Sequence, residues 1–463
     1  MRSSLALLTS VAIGAVMGMT AGQAPLALAA DPVLAGVGSC AASSCHGALH
    51  AMTSSGRGSP RPGSEFSVWV SFDDHHEAYA TLFSEESKRI ASALYHDTKA
   101  NEAETCLKCH ATAAGYDATG APHAIVDGVS CESCHGPSGG GGGASSWLAA
   151  HTSRTWKAMS AGEKAAMGFR DMRNLVERAR VCAECHVGVH GREVTHEMIA
   201  AGHPRLAFEL TAYLAEMPRH WIEQPPPNLD KQLARNWTDT FEARAWMIGQ
   251  IMSAEAAVRM LEDQVPKWDT SGPEFSQFGC FSCHHDLRPE PWREGDPRAS
   301  RRVGQPVWGS WYLPLVRRMA TFDDQPPTLN PHQMAKIVED LGAVAARIEN
   351  WQMPPDRQEM TLMLQTLAAA LREWAMSCEK FDFQQAHVAS LAELLTQRNE
   401  FAATDWDSAA QVYLGLVALH EAGSTRPTRQ QLTTLREVLR FGDDYDSPHE
   451  FQTNEFLRAI GLQ

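Results

Sequence analysis

Ten of the eleven cysteines fall into five close pairs, and a histidine directly follows the second cysteine of each. The pairs are Cys40/Cys45, Cys106/Cys109, Cys131/Cys134, Cys182/Cys185 and Cys280/Cys283; the histidines are His46, His110, His135, His186 and His284. Histidine makes up 20 of 463 residues. Five such coincidences would arise by chance with a probability on the order of one in ten million, judged from composition. Four of the pairs read C-x-x-C-H, the attachment signature of c-type haem. The two thiols form thioethers to porphyrin vinyl groups, and the adjacent imidazole is then held beneath the ring as the proximal iron ligand. Zinc is the main competitor, because the 106/109 and 131/134 pairs lie close to zinc-ribbon spacing. Zinc would not require a histidine after every pair. Disulfide or redox C-x-x-C pairs are the remaining alternative.

The first pair is the exception. In "SCAASSCHG" four residues separate Cys40 from Cys45. Residues five apart on a regular helix point about 140° away from each other. Ala41 to Ser44 must therefore loop outward if both thiols are to reach one porphyrin, and four small residues crowd nothing. The rival is a local Cys40–Cys45 disulfide beside an unrelated His46. With four regular motifs in the same chain, the expectation is five covalently bound haem c groups. Cys378, left over, is expected as a packed free thiol in a helix–turn region.

A haem with two axial histidines is closed and transfers electrons, whereas one with a single histidine can bind a substrate. Fifteen histidines remain after the five proximal ones. His75, His151, His196 and His203 are the candidate distal ligands. His76, His123, His190 and His220 are further choices, and His285 is constrained by its neighbour. His332, His387, His420 and His449 lie beyond the haem motifs.

These side chains need elements to hold them. "SFDDHHEAYATLF" reads as helical, and a long helix is expected from Asn236, where Trp237, Phe241, Ile248, Ile251, Ala254 and Val258 recur on a helical period. "GPSGGGGGASS" is a flexible loop without a phosphate-loop lysine. "RPEPWREGDPRASRRVGQPVWGSWYLP" is irregular, and its arginines suit either haem propionates or solvent. From about Pro331, apolar stripes such as Ile337, Leu341, Val344 and Ile348 predict four or five packed helices without a haem motif. The fold class expected is mainly α, with little sheet. The chain divides into a signal peptide (1–29), a pentahaem domain (30–325) and a helical C-terminal domain (326–463).

The signal peptide is read from Arg2, the apolar run Leu5 to Met19 and the small-residue site Ala27-Leu28-Ala29. No later segment offers about 18 uninterrupted apolar residues. An exported, soluble, periplasmic protein without a transmembrane anchor is expected. Net charge is −15 and the pI is near 5.7. That disfavours nucleic acid, which calls for a basic stripe, and suits redox partner proteins that dock through a basic patch of their own.

The words around the motifs add to this. "ETCLKCHATAAGY", "GVSCESCHGP", "WLAAH", "CAECHVG" and "THEMIAAGHPRLAFEL" together resemble the cytochrome c-554 family of multihaem cytochromes, over roughly residues 36 to 285. The resemblance implies a mostly helical fold organised by closely packed haems, many in stacked pairs, and an electron-transfer role. By position it places distal ligands at His75, His151, His196 and His203. The chain departs from the family in its fifth motif, its expanded first motif and its added helical region, so the family's specific partners do not carry over. The leading expectation is an exported pentahaem electron-transfer protein of a respiratory chain. The alternative is a reductase or oxidase of a small nitrogen or sulfur compound at one five-coordinate haem, by fold analogy. A third reading, a structural subunit of a larger redox complex, overlaps with the first.

Overall fold

The computed structural model describes residues 33–49, 61–112, 123–139, 146–225, 229–268, 273–280, 283–284, 305–321, 329–351, 356–397, 405–441, 451 and 453–461. The expected signal peptide, the glycine run, most of the proline- and arginine-rich stretch, His285 and His449 lie outside these residues.

Helix dominates the described residues, and strand pairing among them is confined to the isolated bridges Val33–Gly139 and Phe278–Trp308. At the centre runs Phe241–Gln264, in which every residue from Ala243 to Val258 is buried. A helix covered on all sides has no polar face to present, so a mostly small and apolar sequence suits it, with Arg244, Gln250, Ser253 and Glu255 as its buried polar residues. The single helix expected from Asn236 is two. Lys231–Asp239 ends at Thr240, whose φ of −115° and ψ of 15° leave the helical region. The Thr240 hydroxyl donates to the Asn236 carbonyl at 2.7 Å, offering the backbone an alternative to the next helical turn.

Around the central helix pack Leu175–His186, Leu210–Glu216, Pro314–Met319, Arg357–Lys380 and Trp406–Glu421. Gly415 lets the last of these approach closely: a Cβ there would lie 2.8 Å from the Trp246 ring. Arg244, on the central helix and 1% exposed, donates to the carbonyls of Cys378 (2.9 Å), Glu379 (3.3 Å) and Phe381 (2.6 Å). It thereby satisfies carbonyls that the end of Arg357–Lys380 would leave orphaned. Cys378 is a fully buried free thiol in that helix.

From Pro331 the described residues form six helices, one or two more than expected: Pro331–Glu349, Arg357–Lys380, Gln385–Thr396, Trp406–Glu421, Arg429–Leu439 and Thr453–Ala459. The stripes Ile337, Leu341, Val344, Ile348 and Leu364, Leu367, Leu371, Trp374 are buried. One apolar core runs from Leu175 to Ile460. The division at 325/326 is thus one of motif content, and packing continues across it.

The part carrying the first three motifs is built differently. Its α-helices between Glu65 and Ala166 have four to ten residues. One of its apolar clusters holds only Leu82, Ala91 and Ala100, flanked by Tyr79, Tyr95, Cys106 and Leu107. Helices this short are marginal in isolation, so this half needs support beyond its own side chains.

Candidate haem sites

Three of the regular motifs end helices. Cys106, Cys109 and His110 close Glu104–His110, Cys131–His135 is itself one helix, and Cys182, Cys185 and His186 close Leu175–His186. One helical turn brings both thiols to one face with the histidine beside them. The fifth motif makes the same turn outside any longer helix. There the N–H groups of Cys283 and His284 both donate to the Cys280 carbonyl, at 3.2 and 2.8 Å. The first motif differs, as its spacing requires. Cys45 N–H and Gly47 N–H both donate to the Ala42 carbonyl, at 2.8 and 3.0 Å, so the insert forms a tight turn.

The ten motif thiols are not equally covered. Cys45 and Cys283, the second cysteines of the first and fifth motifs, are exposed, whereas the other eight are half-buried. Neither of the two sits in an α-helix: Cys45 follows the four-residue insert, and Cys283 lies on a single turn. The expectation that places Cys283 against a porphyrin therefore draws its support, among the described residues, from that turn and from Cys280 and His284.

The ring nitrogens show what the histidines are free to do. Nδ1 of His46 bonds Glu65 (2.9 Å), that of His75 bonds Asp73 (2.8 Å), and those of His110, His151 and His203 donate to the carbonyls of Ala78 (2.8 Å), Leu148 (2.5 Å) and Pro204 (2.8 Å). An imidazole held through Nδ1 presents Nε2 as the ligating atom, in a fixed orientation. Burial drives the pKa of His135 and of His186 down to about 4, leaving both neutral, as ligation requires.

The histidines meet in pairs, each joining a motif residue to one outside the motifs. Ring centroids are 6.2 Å apart for His46 and His151, 6.0 Å for His186 and His75, and 6.2 Å for His284 and His196. Two imidazoles bound to opposite sides of one metal ion by bonds of about 2 Å, with half a ring behind each nitrogen, stand about 6 Å apart. These three pairs would therefore suit haem iron as its histidine ligands, His46 with His151, His186 with His75 and His284 with His196. The remaining motif histidines each have another imidazole for an electrostatic neighbour: burial lowers the pKa of both, the Ala78 carbonyl opposes this at His110, His203 adds to it there, and His220 adds to it at His135.

The other histidines are engaged elsewhere. His76 has Nδ1 on the Asp73 carbonyl (2.9 Å), Nε2 3.6 Å from Glu77, and its ring edge-on to Trp69. His123 and His332 are exposed. The largely exposed His190 pairs with Asp263 at 2.9 Å. His387 accepts from the Gln384 N–H, and His420 lies in the C-terminal helices.

His220 is the ligand candidate that sequence reading left outside its chosen four. Arg178, on the helix of the fourth motif, forms a bidentate pair with Glu223 (2.7 and 3.2 Å) and stacks over Trp221 at 5.3 Å. These contacts bind the 220–223 segment to that helix, and nothing in the spacing of "MPRHW" announces them. Other side chains join the remaining sites. The buried Glu132, within the third motif, accepts from Ala35 N–H (3.0 Å) and Gly36 N–H (2.8 Å), pinning the approach to the first motif. Gly128, at φ 63°, lies where a Cβ would come within 2.7 Å of the His75 and His76 carbonyls, and Val129 N–H donates to the His75 carbonyl at 2.9 Å. Glu274 accepts from His196 N–H (2.7 Å) and Ser276 N–H (3.0 Å), bringing His196 to the fifth motif.

All eleven cysteines are free thiols, and among the described residues no three of the His, Cys, Asp and Glu side chains converge to hold a metal ion on their own. Thiols of different motifs are electrostatic neighbours: Cys40 of Cys131, Cys109 of Cys185, and Cys134 of Cys182.

Residues 39–136, spanning the first three motifs and His75, match the family model described as cytochrome c554 and c-prime. Over that stretch the chain resembles a c-type cytochrome of this family. The match supports covalently bound haem c, an electron-transfer role and redox partner proteins. No curated protein and no solved structure matches the chain. Among the described residues no helix is long and apolar enough to cross a membrane.

Proposed function

We propose that the chain is an exported pentahaem c-type cytochrome that carries electrons in a respiratory redox chain. The observation that carries this reading is the pairing of three motif histidines with His151, His75 and His196 at 6.0–6.2 Å. His203 and His220 complete the set for His110 and His135. The haem-bearing part is residues 30–325, and 326–463 is a haem-free helical part.

Bound haem c supplies one-electron exchange at iron. The chain's part is to hold the groups close together and keep each iron closed. The thiol neighbours support an order along the wire: first to third motif through Cys40 and Cys131, third to fourth through Cys134 and Cys182, fourth to second through Cys185 and Cys109. The fifth follows through the short segment joining His196 to His203. The acidic balance of the chain favours a partner that docks through basic residues.

Intact mass of the mature protein tests the main reading. It predicts a polypeptide cut after Ala29 carrying five haems. Four haems with a Cys40–Cys45 disulfide would overturn it.

A further inference from the structure

The fifth site lies outside residues 39–136, the stretch that the family model matches, and it is where the haem-free helices meet the haem motifs. A small cleft is lined there by Glu193, Val194 and Ile199, which flank His196, and by Ser276 and Gln277, which lead into Cys280. The 308–312 segment closes it, and Arg205 reaches into the same lining. The cleft thus adjoins the elements carrying the two ligands and first thiol of the fifth motif. Glu193 Oε2 and Gln277 Nε2, both on its lining residues, are buried without a hydrogen-bond partner.

Arg205 is fixed from far along the chain. Its guanidinium makes two parallel bonds to Asp407, at 2.9 and 2.7 Å, and stacks over Trp311 at 5.9 Å. Asp407 is 1% exposed, sits in the first turn of Trp406–Glu421, and accepts a further bond from the Ser310 hydroxyl. Trp311 and Tyr312 donate to the carbonyls of Phe208 and Leu206, at 2.9 and 3.2 Å, so the strap carrying Arg205 is clamped on both sides. A long, flexible cation is thereby held in one geometry in a partly buried, low-dielectric place, where its field acts on a neighbouring redox centre with little screening. A fixed positive charge stabilises the electron-rich ferrous state, and a fixed negative charge opposes it.

We propose that Arg205, held by Asp407 of the C-terminal helices, is a positioning residue that sets the midpoint potential of the fifth haem. The helical region then has a redox role, because it supplies the buried carboxylate that locks the cation in place. This rests on the pentahaem reading.

Spectroelectrochemical titration of the haem-loaded full chain tests it. Arg205→Gln shifts one of the five midpoints downward, Asp407→Asn shifts the same midpoint upward, and Arg205→Lys stays between Arg205→Gln and the parent. The double variant Arg205→Gln/Asp407→Asn returns towards the parent value, and it keeps the proposal testable if Asp407→Asn alone does not fold. His284→Met identifies which midpoint belongs to the fifth haem. Both single variants shifting the same way, no shift in either, or a shift at another haem would overturn the proposal. The pentahaem reading fails by a separate route, when the parent protein itself carries fewer than five haems.

Discussion

At the residue scale, the decisive atoms are the Nδ1 nitrogens. Each carbonyl or carboxylate that holds one leaves Nε2 as a ligand and fixes its direction. The motifs were legible in the sequence because their pattern is local: two thiols and an imidazole within one turn. The proposed distal ligands are distant in sequence, and which of them would serve which motif depends on contacts such as Glu274 with His196 and Arg178 with Glu223. His220 shows the limit, since its place follows from a bidentate ion pair between residues 45 positions apart. His220→Ala should open one iron only. The reduced variant should then bind carbon monoxide at one haem in five while retaining all five by mass. Binding at no haem, or in the parent protein as well, would mean that His220 is not the ligand.

At the element scale, the two halves stay folded by different means. The C-terminal helices announced themselves through apolar stripes. In the structure Asn330, Asp405 and Thr428 each form a capping box with the residue three positions on. The break at Thr240 was not legible, because a hydroxyl turned back onto the preceding turn interrupts the helix without altering the apolar period. Nor was the role of Arg244, which sits in an apolar stretch and bonds carbonyls more than 130 residues away. Replacing it by Leu leaves those carbonyls without their charged donor. At about 1–3 kcal/mol for an unsatisfied buried group, the loss should be about 3 kcal/mol. In a thermal melt of the haem-loaded protein that lowers the midpoint by roughly 5 °C. An unchanged or raised midpoint would show that the helix end does not depend on Arg244.

At the scale of the whole molecule, a single apolar core spans the 325/326 boundary, and Arg205 with Asp407 ties the fifth site to the last helices. The mainly helical class was legible from periodicity. The continuity of the core was not, because apolar stripes say that helices pack but not against which partner. The central claim is that paired histidines close the irons, which makes the chain a wire. Electron paramagnetic resonance of the oxidised five-haem protein tests this most directly. Low-spin signals alone, unchanged by nitrite, hydroxylamine or sulfite, are the predicted result; a high-spin signal that responds to one of these compounds would contradict it.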